Sequence, residues 1–237
     1  MVNVDTVYQK VLALANKEQR GHITPQKFNL FANQAQMEVF EQYFYDINVA
    51  RKSQGNDTVY ADVDDMLEEK LQIFEGVDDF TTISGYYPNV PNYMYRVHEI
   101  EADFGKKAEI LNTKDFNACR NGGPLLSPSA TRPIANVRNG AITLVADQNI
   151  NSTVNITPKF IYYFRLPAKV NWTYVVINKQ AMYNANLSTQ NFELHSSEEN
   201  QLVNKILRLT GISNQQPDIM RAGAVMDQTA TQQQPKI

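Results

Sequence analysis

Apolar residues in the first fifty positions recur with a helical period. Val4, Val7, Tyr8, Val11, Leu12 and Ala15 follow i, i+3, i+4, i+7, i+8 and i+11, which draws one stripe along a helix of about four turns. Gly21 is suited to end that helix. Thr24-Pro25, a capping residue type followed by a proline suited to the first helical position, restarts the chain. A second helix is predicted from about Pro25 to about Arg51. It carries two stripes: Phe28, Phe31, Ala32, Ala35, Val39, Tyr43 and Ile47 form one, and Leu30, Met37 and Phe44 the other, with Phe40 between them. One stripe is enough to seat a helix on a core, so two imply burial on two sides. Two readings follow. The helix is surrounded by its own domain, or one side packs on another subunit.

Ser53 to Asp57 reads as a loop, and a third helix is expected after Asp62, with Val63, Met66, Leu67, Leu71 and Phe74 on its apolar face. From about Phe80 the period changes. Tyr86 to Asn92 reads as a loop punctuated by prolines. Tyr93 to Ile100 reads as a strand, with Tyr93, Tyr95 and Val97 on one face and Met94, Arg96 and His98 on the other. Ile110-Leu111 suggests a short strand, and Thr113 a cap for a short helix ending near Arg120. The strongest local signal is Asn139-Gly140 between two β-favouring runs, the preferred two-residue hairpin turn. A further strand is expected at Ser152–Ile156, and the aromatic run Phe160–Leu166 reads as a central strand. Helix returns near Ser196, with Leu202, Val203, Ile206, Leu207 and Leu209 on the apolar face and Gly211 as the stop. Asp227 to Ile237 has almost no apolar content and is expected to order only against a partner.

Composition narrows the function classes. In 237 residues, 22 Lys and Arg stand against 25 Asp and Glu, a formal charge of −3, without the basic excess that nucleic-acid binders carry. The one cysteine, Cys119, allows neither an intrachain disulfide nor a multi-cysteine metal site. No apolar run approaches the length of a membrane span, and the N-terminus lacks a basic segment followed by an apolar one, so manufacture in a cytoplasm without secretion is expected. There is no glycine-rich phosphate loop and no nucleophile elbow. His22, His98 and His195 are scattered, so a Cys119–His98 nucleophile pair finds little support. Asp62, Asp64, Asp65, Asp78 and Asp79 are explained by turns and helix starts more simply than by a cation. No catalytic, cofactor-binding or metal-binding residue is assigned, and an enzyme is disfavoured.

Three stretches carry a resemblance. They are Gly21 to Gln36 continuing to Phe44, then Phe160 to Pro167 followed by Asn171-Trp172, then Phe192 to Glu199 followed by Leu202–Leu207 and Thr210-Gly211-Ile212. In this order they resemble virion structural proteins of short-tailed, crAss-like bacteriophages, in particular the head-to-tail connector, also called adaptor or ring protein. The resemblance extends from about residue 4 to about residue 225. It implies a ring, usually of twelve copies, seated below the portal protein and above the next ring or tail protein. It further implies no enzymatic activity, a channel through which DNA passes without specific binding, and a C-terminal arm reaching into the portal. A more distal ring or tail-tube protein of the same virion would fit the same motifs. A cytoplasmic enzyme with an unrecognised site is the rival of a different class.

The expected fold class is α+β, a helical bundle with a small, mainly antiparallel β-region inserted between N- and C-terminal helices. The expected segments are N-terminal helices at 1–79, a β-rich region at 80–170, C-terminal helices packing on the N-terminal ones at 171–213, and an extended arm at 214–237. Phe31, Met37, Phe40 and Phe44 are the candidates for contact between subunits, and Met220, Arg221, Val225, Met226 and Ile237 for contact with the portal. The expected location is the neck or tail of the virion, with no membrane contact.

Overall fold

Alternation of apolar period, helical at both ends and β-like between, predicts a mixed fold, and the chain is mixed α+β with several small, mainly antiparallel sheets. A computed structural model describes residues 1–16, 23–52, 58–79, 86–87, 90–102, 106–123, 126–129, 131–145, 158–213, 221 and 223–228. The expected helix stop at Gly21, the loop at 53–57, His22, the strand at 152–156, Met220 and Ile237 lie outside these residues.

The chain divides into two compact units, one formed by Met1–Ile73 together with Pro167–Ile237 and the other by Phe74–Leu166. In the first unit, α1 (Val4–Asn16) and α2 (Pro25–Lys52) form where the periodicity predicts them. Thr24 starts α2: its carbonyl accepts from Phe28 N at 2.9 Å and its Oγ1 lies 3.4 Å from Lys27 N. α3 spans Thr58–Gln72 and begins five residues earlier than expected. α5 (Glu199–Ser213) follows a 3-10 turn at Ser196–Glu198, whose cap is His195. α2 packs against α3 and α5, and α1 against α5. Val4, Val7 and Val11 of α1, the first stripe of α2, and Leu202 and Ile206 of α5 are buried in that core.

The second unit holds two four-stranded sheets. In one, β1 (Glu75–Asp79), β8 (Pro158–Arg165), β3 (Met94–Ala102) and β4 (Lys106–Lys107) run in that order. β8 is central, antiparallel to β1 on one side and to β3 on the other, as its aromatic run predicts. The other orders β2 (Tyr86–Tyr87), β7 (Ala141–Val145), β6 (Ile134–Arg138) and β5 (Glu109–Ile110), all antiparallel except β5 with β6. The β6–β7 turn has Asn139 and Gly140 at φ 54 and 68, the left-handed pair that Asn-Gly accommodates. α4 (Thr113–Arg120) is capped by Asn112, whose side chain accepts from Asp115 N, one residue before the expected cap. Met94, Ile100, Ile142, Leu144, Ile161 and Tyr163 are among the residues that fill this unit's core.

Further expectations need correction. Residues 75–79, expected among the N-terminal helices, form β1, and Met66, expected on the apolar face of α3, is 59% exposed. Residues 171–195 are not helical: a hairpin of β9 (Tyr174–Ile177) and β10 (Gln180–Tyr183) forms within this segment. Val175-Val176-Ile177 favours strand, and Asn178 and Lys179 take φ 51 and 66 in the turn. Gly211 does not stop α5, which continues to Ser213. An internal glycine costs only about 1 kcal/mol relative to alanine, less than the burial of Leu202, Ile206 and Leu207 along the same helix contributes. The arm at 214–237 is not extended throughout, since residues 221 and 223–228 are helical and tied to α5 by charge. Strict alternation fails in β3, because bulges between Met94 and Arg96 and between Val97 and Glu99 turn Met94, Val97 and Ile100 all toward the core. Finally, the loop expected at 86–92 contributes the short strand β2.

Candidate functional site

Residues 160–166 of the second stretch lie in the second unit, all but the last of them in β8, whereas the rest of the three stretches lies in the first, where α2 is joined to residues 168–172 and Glu193 through a row of amides. Asn29, Asn33 and Gln36 stand at i, i+4 and i+7 on one face. Asn29 Oδ1 accepts from Trp172 N at 2.8 Å while its Nδ2 donates to Trp172 O at 3.2 Å. Asn33 repeats this with Val170, accepting from N at 2.8 Å and donating to O at 2.9 Å. Gln36 donates to Ala168 O at 2.8 Å and accepts from Glu193 N at 3.1 Å, and Glu193 Oε2 in turn accepts from Ala168 N at 2.7 Å.

The spacing explains the match. Two residues of extended chain advance ~6.6 Å and four of helix ~6 Å, so alternate backbone units meet successive amides. The last step is three residues, ~4.5 Å, and the longer glutamine side chain covers the shortfall. Buried backbone groups of a segment outside any sheet require such partners. Trp172 ends the row: it is 1% exposed, donates from Nε1 to Asp5 Oδ1 at 2.9 Å, and lies 4.1 Å from the Tyr8 ring. The same indole stacks on Tyr174 and Tyr183, the root of the β9–β10 hairpin.

Two charged networks flank this row. Lys70 Nζ lies 2.7 Å from Glu198 Oε1, whose side chain is 6% exposed, and 5.7 Å over the Tyr43 ring. Burial, then the Glu198 carboxylate, raise the Tyr43 hydroxyl above its ordinary value. Burial likewise raises Asp46, opposed by Lys70 and reinforced by Glu198. In the second network, Arg208 Nη2 donates to Glu38 Oε2 at 2.8 Å and Nη1 to Asp227 Oδ2 at 3.3 Å, with Lys205 Nζ 3.9 and 3.8 Å from the same two carboxylates. Two cations and two anions thus fasten the 223–228 helix and α2 to α5.

The four subunit-contact candidates separate. Phe40 is fully buried and Phe31 nearly so, and their own core accounts for them. Met37 and Phe44 are half-buried, Phe44 edge-on to Phe40 at 5.1 Å. Leu30 of the same stripe is 66% exposed. Of the portal-contact candidates that are described, Arg221, Val225 and Met226 are all exposed. Sequence reading passed over the hairpin, where Val176, Ile177 and Met182 are 62, 50 and 53% exposed. Its available signal was Val175-Val176-Ile177 followed by Asn178-Lys179.

The titratable residues weighed as chemistry have structural surroundings. His98 stacks on Phe164 and lies 3.3 Å from Glu75, and His195 caps the 3-10 turn through Ser197 N. Cys119 is half-buried on α4. Asp78 accepts from Tyr93 Oη at 2.6 Å. Among the described residues no group of three or more His, Cys, Asp or Glu is arranged to hold a metal ion, and no helix is long and apolar enough to cross a membrane. No protein-family model matches the chain, and no curated protein matches it.

Proposed function

We propose that this chain is a structural virion protein, the head-to-tail connector that forms a ring between portal and tail and leaves a channel for DNA. The observation that carries the reading is the second stripe of α2. After the first stripe has filled the core, Leu30 remains 66% exposed and Met37 and Phe44 half-exposed along the same side of the helix. A side this apolar on a 28-residue helix suits contact with another copy.

Further support comes from the chain order of the two units. The second unit is inserted between the two chain segments of the first, which accords with a helical bundle bearing a β-region. The mildly acidic balance suits a channel wall that must not grip DNA. The exposed Val225 and Met226 on the 223–228 helix suit docking into the portal.

Mass in solution by light scattering, with and without the portal protein, tests the reading. A stoichiometric ring on the portal is the expected result. A monomer that ignores the portal refutes it. Phe44→Glu places a charge on the proposed contact and is expected to abolish the ring while leaving the monomer folded, and a ring that persists in this variant counts against the assignment of the α2 stripe.

A further inference from the structure

We infer that the contact between copies is head-to-tail, with the β9–β10 hairpin of one copy lying on the α2 stripe of the next. This rests on the ring reading above and names the surfaces that would build the ring.

The hairpin is a ribbon of two strands, which is marginal in isolation. Its root is held by Trp172 against Tyr174 and Tyr183. Beyond the root it presents apolar side chains on both faces. Val176 shares a face with Tyr174, and the other carries Val175, Ile177 and Met182. Val176, Ile177 and Met182 are each at least half exposed. The strands reach ~14 Å, and the α2 stripe from Leu30 to Phe44 runs ~21 Å, long enough to receive them.

Charge selects the occupant. From Leu166 to Phe192 the only charged residues are Lys169 and Lys179, so the hairpin is cationic and Lys179 sits exposed in its turn. On α2, the exposed Glu41 lies four residues after Met37 and three before Phe44, in the middle of the stripe. Hairpin against hairpin would set two lysine-tipped turns together, and helix against helix would set Glu41 against its own copy. Hairpin against helix pairs opposite charges along with the apolar surfaces. Two different patches meeting in this way make a heterologous contact, the kind from which a ring is built when the rotation between copies closes.

Photocrosslinking tests it. The full chain carries p-benzoylphenylalanine in place of Val176, and equal amounts of isotope-labelled and unlabelled copies are irradiated with and without the portal protein and mapped by mass spectrometry. Crosslinks between copies are expected within residues 30–45. Lys179→Glu and Glu41→Lys are each expected to reduce them about tenfold, and the double variant to restore them. A ring-sized mass with inter-copy crosslinks elsewhere, or with no rescue in the double variant, overturns the docking assignment and leaves the ring reading standing. No assembled mass in either condition overturns both.

Discussion

Asn33→Ala tests whether the amide row on α2 holds the 168–172 segment. Asn33 accepts from Val170 N at 2.8 Å and donates to Val170 O at 2.9 Å, and Val170 is 2% exposed. Truncation strands one buried donor and one buried acceptor. Each stranded group costs about 1–3 kcal/mol, and the better helix propensity of alanine returns about 0.7 kcal/mol, leaving a net loss of about 1–5 kcal/mol. Urea unfolding followed by tryptophan fluorescence reads this out directly. Trp172 is the single tryptophan, is buried, and belongs to the clamped segment. Gln34→Ala is the control: Gln34 is exposed one residue further along the helix, and its loss is expected to change stability by less than about 0.5 kcal/mol. Asn33→Asp sharpens the test. It keeps the acceptor for Val170 N but turns a carboxylate oxygen on Val170 O. The folded state therefore favours the protonated acid, and the deficit should shrink as pH falls through the carboxylate range. An Asn33→Ala midpoint indistinguishable from that of Gln34→Ala would refute the clamp.

Other perturbations follow from the same contacts. Lys70→Met leaves the nearly buried Glu198 carboxylate without its cation and is expected to cost about 3–5 kcal/mol, while Lys70→Met with Glu198→Leu should recover most of that loss in the same urea assay. Asp46 is held above its ordinary value by burial, so its effect runs opposite to that of a salt-bridged acid: stability is highest below the unfolded value of 3.8 and is lost as pH rises through the folded value. Asp46→Asn should therefore stabilise the chain at neutral pH, and its advantage should vanish in strong acid. A constant difference across the pH series would contradict this. Gly223→Ala would put a Cβ 2.8 Å from the backbone nitrogen of Arg208, too close for either helix to accommodate without moving. Hydrogen exchange should quicken at 223–228 while α1 and α2 keep their protection, and unchanged exchange at 223–228 would show that the segment does not depend on this close approach.

Much of the fold is legible in local patterns. The i, i+3, i+4 spacing marked the start of α1 and set α2 to within a residue. Asn139-Gly140 marked its hairpin because the turn's positive φ is a demand of the backbone, satisfied locally. The aromatic run at 160–166 marked a central strand, since an unbroken run of β-favouring residues suits a strand paired on both sides. Where local signals competed, the reading failed. Val175-Val176-Ile177 and Asn178-Lys179 are strand and turn signals, yet they were absorbed into a helical segment. Period alone predicts an unbroken β3, because a bulge inserts a residue without any distinctive residue type.

The candidate surfaces divide along the same line. Sequence alone establishes that α2 carries two apolar stripes, because helical spacing is intrinsic to the chain. It cannot establish which residues of those stripes its own core consumes, for that depends on helices distant in sequence. Burial removed Phe31 and Phe40 and left Leu30, Met37 and Phe44 at the surface. The amide row is the same case in polar form. Asn29, Asn33 and Gln36 look like an ordinary solvated face, and only the arrival of residues 168–172 and Glu193, more than 130 positions away, turns them into backbone partners. Helix, turn and charge balance are decided by neighbours within a few residues, whereas exposure and hydrogen-bond partnership are decided by whatever the folded chain brings alongside.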